Sequence, residues 1–235
     1  MSLIAIVGCS YSAYGQAGGY KHSWSYKLSE LYPQHKFLNY ACGGRGPDYY
    51  RYALLDAKIR GADCVFLSAT YDGRIGYLVD SDNSKNNFEF ITGKISDNYD
   101  IACLHIENEI WISSGRAQSR WKNHNLAKQL ERHSADNINI QYNRIWYKHA
   151  PVLYNFDKMF VLQFNMWKDG DLPWDDTVWD MLVKLTNVKD KSYLHEKGVC
   201  VSEHDDHWTP YGHQLVLDNY ILNDDVKNYL TTTTN

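Results

Sequence analysis

No cysteine framework, nucleotide loop or membrane span can be read in this chain, and each absence removes a class of function. The five cysteines, Cys9, Cys42, Cys64, Cys103 and Cys200, are odd in number and scattered, with no Cys-x-x-Cys pair, which excludes a disulfide scaffold and a zinc ribbon. Reduced thiols in a cytosol-like compartment are the expectation. Lysine and arginine number 24 against 28 acidic residues, a net charge of −4, so no basic face for general nucleic-acid binding is expected. No apolar run approaches the length of a bilayer span, and an apolar strand begins too early for a basic leader to precede it; a cytoplasmic protein without a membrane partner is expected. Neither Gly-x-Gly-x-x-Gly nor Gly-Lys-Ser/Thr occurs, which argues against a nucleotide loop.

What is present starts with Ile4-Ala-Ile-Val7, a continuous apolar run rich in β-branched residues, as in a parallel strand covered on both faces. Gly8 ends it, and Ser10 follows. A hydroxyl just past the carboxyl end of such a strand sits where open α/β sheets bind ligands. Taken alone, the stretch favours Ser10 as the N-cap of the next helix.

The remainder repeats the strand, turn and helix alternation. Ser23–Leu31 carries Trp24, Leu28 and Leu31 at helical spacing and stops before Pro33. Lys36–Tyr40 predicts a second strand leading into the glycine-dense turn Asn39–Asp48, where backbone N–H groups can approach a ligand closely. Tyr49–Arg60 predicts a helix with Tyr52, Leu55 and Ile59 on one side, and Cys64–Thr70 a third buried strand. Three such units in a row predict a parallel sheet of the α/β class. Asn98–Asn155 reads as a mainly helical insertion carrying Trp111, Trp121, Ile145 and Trp146 over the sheet edge or the ligand site. Then come a strand over Lys158–Met166, a helix over Asp175–Leu185 and a short strand at Val199–Ser202. The loop Glu203–Thr209 leads into a helix from Pro210 to Leu222, with Thr209 as its cap.

Chemistry can sit on the turns that follow these strands. A serine nucleophile needs a base that meets it in space, and His207 is the candidate, with Asp205 or Asp206 to hold its tautomer. Gly43 and Gly44 leave backbone N–H groups free to face a developing oxyanion. Arg45 and Arg74 each follow such a turn and could clamp an anionic group, although surface ion pairing is the ordinary fate of an arginine.

With these blocks in order, the chain resembles the SGNH hydrolases, the GDSL-type esterases, lipases and acetylesterases. Gly8-Cys9-Ser10 is similar to the family's Gly-Asp-Ser, Asn39 with Gly44 to its Asn-x-x-x-x-Gly, and Ala69-Thr70-Tyr71-Asp72 to its Gly-x-Asn-Asp. His207-Trp-Thr-Pro-Tyr-Gly212 matches its last block. The resemblance spans essentially all 235 residues as one domain. It implies a three-layer α/β/α sandwich with a mostly parallel, flavodoxin-like sheet, and a serine hydrolase acting on a carboxylic ester, O-acetyl groups on glycans included, with no cofactor and no metal. Ser10 would be nucleophile, His207 base, Asp205 orienter, and the N–H groups of Ser10 and Gly44 oxyanion donors; Tyr71, Asp72, Arg74 and Arg45 would face the substrate. Three positions depart from the family: Cys9 replaces an Asp, Tyr71 the oxyanion Asn, and His204 the Asp that precedes the catalytic His. Such departures resemble a divergent, phage-like branch.

Other readings compete. The fold could survive as a binding module whose catalysis left with the oxyanion Asn, a reading that 19 Tyr and 8 Trp suit. His204, His207 and His213 with Asp205 could form a metal site. Cys9 could itself be nucleophilic near a helix N-terminus, against the ordinary case of a small buried thiol.

Overall fold

Along the central strand, Ile4 and Ile6 face one side and Ala5 and Val7 the other, and each set belongs to a separate apolar core. This period-two alternation on a strand buried on both faces makes the molecule three-layered. The computed structural model describes residues 1–13, 19–69, 76–80, 88–106, 109–113, 137–164, 177–203 and 205–232.

The strands are β1 (Leu3–Val7), β2 (Lys36–Asn39), β3 (Cys64–Ala69), β4 (Gly76–Asp80), β5 (Phe88–Lys94), β6 (Tyr99–Ile106), β7 (Glu109–Ser113), β8 (Lys158–Gln163), β9 (Cys200–Ser202) and β10 (Asp205–Trp208). Six of them form one sheet in the order β5-β6-β2-β1-β3-β8. All neighbours in it are parallel except the edge pair β5 and β6. The chain moves outward from β1 to β2 on one side and then to β3 on the other. The order therefore reverses beside β1, and the turn carrying Ser10 leaves the sheet at this switch point, where α/β proteins open a crevice.

One face is covered by α1 (Trp24–Leu31), through Trp24 and Leu28. On the other lie α2 (Pro47–Ile59), with Tyr49, Tyr50, Ala53, Leu54 and Ala57, and α3 (Asn137–Tyr154), with Trp146, Tyr147 and Ala150. Against the α1 face also pack α4 (Val178–Thr186), α5 (Pro210–Val216) and α6 (Asp224–Thr232). The α/β/α layering expected from the sequence is present. Thr177 and Asp180 close a reciprocal capping box at the start of α4, and Pro210 follows the cap Thr209 at α5, so both helices start where their side chains satisfy orphan N–H groups.

The structure corrects several expectations. In α2 the stripe Tyr52, Leu55 and Ile59 is the exposed face, Ile59 at 83%. The wider stripe built on Ala53 and Ala57 goes inward, because alanines let a helix approach the sheet closely. Of the stretch 98–155, Tyr99–Ile106 is a sheet strand and Glu109–Ser113 pairs with β4; only Asn137–Tyr154 is a described helix, and residues 114–136 lie outside the described residues. Alternation of Tyr99 and Ile101 around Asp100 outweighs any helical stripe there, since both apolar side chains are buried against the sheet. The expected loop at Glu203–Thr209 contains β10, antiparallel to β9 in a small ladder separate from the main sheet. Trp146, by contrast, takes the ordinary fate of a helical-face tryptophan, a core residue packed on Tyr147. Helix α6 has no counterpart in the sequence reading; Val226 and Leu230 tie it to the core.

Candidate functional site

Ser10 follows β1 in a tight turn in which the N–H of Ser12 donates to the Cys9 carbonyl at 3.0 Å and that of Ala13 to the Ser10 carbonyl at 3.2 Å. It does not cap α1. That cap is Ser23, whose hydroxyl accepts from the Tyr26 N–H. Gly8 is required by close approach: a Cβ there would lie 2.8 Å from the Ser68 Cβ. Through this gap Ser12 Oγ and Ser68 Oγ share a hydrogen bond of 2.6 Å, linking the turn to the end of β3.

The turn rests on a buried polar network. The Asn39 side-chain amide donates to the Ser12 carbonyl at 3.0 Å, to Ser25 Oγ at 3.2 Å and to the Tyr99 hydroxyl at 2.6 Å, while its oxygen accepts from the Ala41 N–H at 2.7 Å. The asparagine of the second block is thus a support beneath the serine turn, fully buried. Four groups converge on it because an amide left unpaired in the interior is costly. Its loop is tied to the first turn directly, the Cys42 N–H donating to the Gly8 carbonyl at 3.0 Å. Gly44 in that loop has φ of 75°, a left-handed conformation that suits glycine. Arg45 places its guanidinium 5.6 Å from the centre of the Tyr49 ring.

His207 and Asp205 lie on β10 and meet. Nδ1 of His207 is 2.6 Å from Asp205 Oδ1, and the same oxygen accepts from the His207 backbone N–H at 3.1 Å. Burial alone would raise the Asp205 pKa, but the hydrogen bonds from the His207 ring and backbone, together with the nearby imidazole charge, outweigh it and hold the carboxyl below its ordinary value. A carboxylate only accepts, so Nδ1 carries a proton, and in the neutral ring Nε2 is the nitrogen with the lone pair. This is the tautomer a general base needs.

Tyr11, the residue after Ser10, brings the hairpin against the serine turn. Its ring stacks on His207 with centroids 5.4 Å apart and planes 28° apart. Trp208 and Trp179 flank the same ring at 4.9 and 5.5 Å, and the Tyr11 carbonyl accepts from Trp24 Nε1 at 3.1 Å. Sequence reasoning overlooked Tyr11, Ser12, Ser25, Ser68 and Tyr99. Only Tyr11 carried a usable signal, its place next to the serine. Among the described residues no hydrogen bond joins Ser10 to His207, and Ser10 is 6% exposed. Tyr71, Asp72, Arg74 and His204 lie outside the described residues, and Asp206 is on β10.

His213, the third histidine of the supposed metal cluster, is a core residue. It is 1% exposed, its Nδ1 accepts from the Trp24 N–H at 3.4 Å, and its ring packs edge-on against Trp208. Among the described residues no group of three or more His, Cys, Asp or Glu side chains is arranged to hold a metal. Cys9 is fully buried, the ordinary fate of a strand-end thiol.

Burial, with the charges of Lys27, His207 and His22 adding to it, pushes the His213 pKa down to about 3. The folded protein therefore holds this imidazole neutral while the unfolded chain protonates it near pH 6.5. The resulting stability is complete above pH 6.5 and declines as pH falls from there toward 3, by up to about 1.4 kcal/mol per pH unit. Between pH 7 and pH 5, His213→Asn, which offers a comparable acceptor without a titrating ring, is expected to lose about 2 kcal/mol less stability than the parent. Urea unfolding of both proteins at the two pH values measures this, and equal losses would remove the assignment.

These features define a mostly parallel α/β protein with a serine turn at the switch point of its sheet and a paired histidine and aspartate set against it. Among solved structures, the chain is similar to a protein assigned to the G-D-S-L family from Desulfitobacterium hafniense DCB-2, at 11% identity and a TM-score of 0.38, over 98% of this chain and 99% of that one. No family model and no curated protein matches the chain. Among the described residues no helix is long and apolar enough to cross a membrane.

Proposed function

We propose that this chain is a divergent SGNH-type serine hydrolase that cleaves a carboxylic ester, O-acetyl groups on glycans being one candidate substrate. The observation that carries the reading is the Asp205 and His207 pair, in the tautomer of a base, stacked on the residue that follows Ser10. In this mechanism Ser10 Oγ attacks the ester carbonyl carbon and its proton passes to His207 Nε2. The N–H groups of Ser10 and Gly44 receive the negative charge on the carbonyl oxygen, and collapse breaks the bond to the alcohol, which takes the proton from His207. Water then repeats the sequence on the acyl-enzyme, releasing the acid and restoring Ser10. Asp205 keeps the imidazole oriented throughout. The reaction calls for no cofactor, and Arg45, Tyr71, Asp72 and Arg74 are the side chains proposed to line the ester's alcohol or acyl part.

The test is covalent. A fluorophosphonate probe is expected to label the protein at Ser10 and p-nitrophenyl acetate to be turned over, with both lost in Ser10→Ala. Equal labelling and turnover by Ser10→Ala would reject the assignment. A second reading, a binding module on the same fold, is favoured by the burial of Ser10 and the lack of a hydrogen bond to His207 among the described residues. It expects no labelling of the parent protein under conditions where a known serine esterase reacts completely.

A further inference from the structure

Tyr11 is held in a way that a simple core residue is not. Its ring meets Trp179 edge-on and Trp208 at a tilt, and it also stacks on the face of His207. The backbone on its N-terminal side is the Ser10 turn, and its carbonyl is anchored by the Trp24 indole. A side chain rigid at both ends therefore spans from the candidate nucleophile's turn to the candidate base. The two planes lie 28° apart, so the imidazole presents its face, not its edge, to the π-system of the phenol.

Hydrogen bonding to Asp205 fixes only one end of the imidazole. Rotation about that hydrogen bond would still turn the ring plane and move Nε2, because a single hydrogen bond at 2.6 Å constrains distance and not plane. A ring stacked against one face at 28° restricts that freedom. An aromatic face is also electron-rich and attracts a cation above it, so the same contact favours the imidazolium over the neutral ring.

We propose that Tyr11 is a positioning residue for His207, setting the plane of the imidazole and stabilising the imidazolium that forms when the base takes a proton. The catalytic part of this inference rests on the serine hydrolase reading; the contact itself does not. Titratable groups facing His207 among the described residues are Asp205 on its own strand, His213 from α5 and the Tyr11 phenol. Asp205 and His213 remain in place when Tyr11 is changed, so a shift caused by the Tyr11 ring is separable from theirs.

The experiment has two arms. In the first, His207 is titrated by NMR in the parent protein and in Tyr11→Leu and Tyr11→Phe, each checked for folding by its thermal transition. Tyr11→Leu is expected to lower the His207 midpoint by about half to one pH unit, and Tyr11→Phe, which keeps the face, to restore it. Should Tyr11→Leu fail to fold, a ring-fluorinated phenylalanine at the same position keeps the shape, weakens the face and is expected to lower the midpoint in the same sense. An unchanged midpoint in a folded variant overturns the proposal. In the second arm, ester turnover by Tyr11→Leu is expected to fall about tenfold in kcat with little change in KM, and the acidic limb of the kcat/KM profile to move to lower pH. Phenylalanine is expected to rescue it. A parent protein that neither labels nor turns over ester rejects the hydrolase reading and leaves the NMR arm to judge the contact. An active parent whose Tyr11→Leu variant keeps both kcat and the pH profile rejects the positioning role alone.

Discussion

His207→Ala is expected to lower ester turnover by roughly 10³- to 10⁴-fold in kcat, the range over which a positioned base acts together with its nucleophile. Neutral serine is a poor nucleophile, and in the proposed mechanism Nε2 accepts its proton while Nδ1 is bonded to Asp205. The thermal transition should move little, because the His207 side chain is 30% exposed and its bond to Asp205 is near the surface. Asp205→Asn separates orientation from proton acceptance. An amide at that position can donate to Nδ1, turning the ring to the tautomer whose Nε2 carries the proton, and a loss of about 10²- to 10⁴-fold is expected. Asp206→Asn is the companion variant, since the observed bond to His207 Nδ1 comes from Asp205. A kcat for His207→Ala within threefold of the parent would exclude His207 as the base, and a greater loss from Asp206→Asn than from Asp205→Asn would exchange the orienter.

Gly212→Ala carries the largest expected effect on stability. A Cβ on Gly212 would lie 2.2 Å from the Val199 carbonyl oxygen and 3.0 Å from the Trp208 Cβ. Both are held in place: the Thr209 N–H donates to the Val199 carbonyl at 2.9 Å, and Trp208 is fully buried. Relief requires the first turn of α5 to back away from the β9 and β10 ladder, disturbing Trp208, Trp179 and the stack on Tyr11 together. About 3 kcal/mol or more of lost stability is expected, read as a shift in the urea midpoint. Activity at a temperature where the variant is still folded should fall as well, because His207 sits on the same hairpin. A midpoint within experimental error of the parent would show that α5 can move without cost. The glycine five places after the candidate base thus answers to backbone packing, which brings the hairpin close to the helix.

Local signals account for what was readable in advance. The strand ending at Gly8 is legible because a central parallel strand must be apolar on both faces, and Ile4-Ala-Ile-Val7 supplies both cores. Thr209 and Pro210 announce the start of α5 because a cap and a fixed φ act within a few residues. Misreadings occurred where a decision depended on a distant surface. Tyr52, Leu55 and Ile59 form a valid helical stripe, yet the alanine-bearing face of α2 fits the sheet better, and alanine contributes little to a hydrophobic count. Tyr99 entered an expected helix because nothing local states that β2 has an open edge waiting for it.

The candidate site divides in the same way. Ser10, Gly44, Asp205 and His207 could be nominated from residue type and order, and the pairing of Asp205 with His207 is short-range, two positions apart on one strand. The support beneath Ser10 was not legible. Asn39, Ser25, Ser12, Ser68 and Tyr99 come from separate segments, and their hydrogen bonds exist only once the sheet order brings them together.

By itself the sequence determined the α/β class and the strand after which the serine turn falls, because periodicity, capping and turn chemistry act over a few residues. Tertiary structure alone decided that the Tyr11 ring lies on His207, that Asn39 is a buried support and that His213 belongs to the core. These depend on contacts between residues far apart in the chain, whose geometry is set by packing and by the requirement that every buried polar group find a partner.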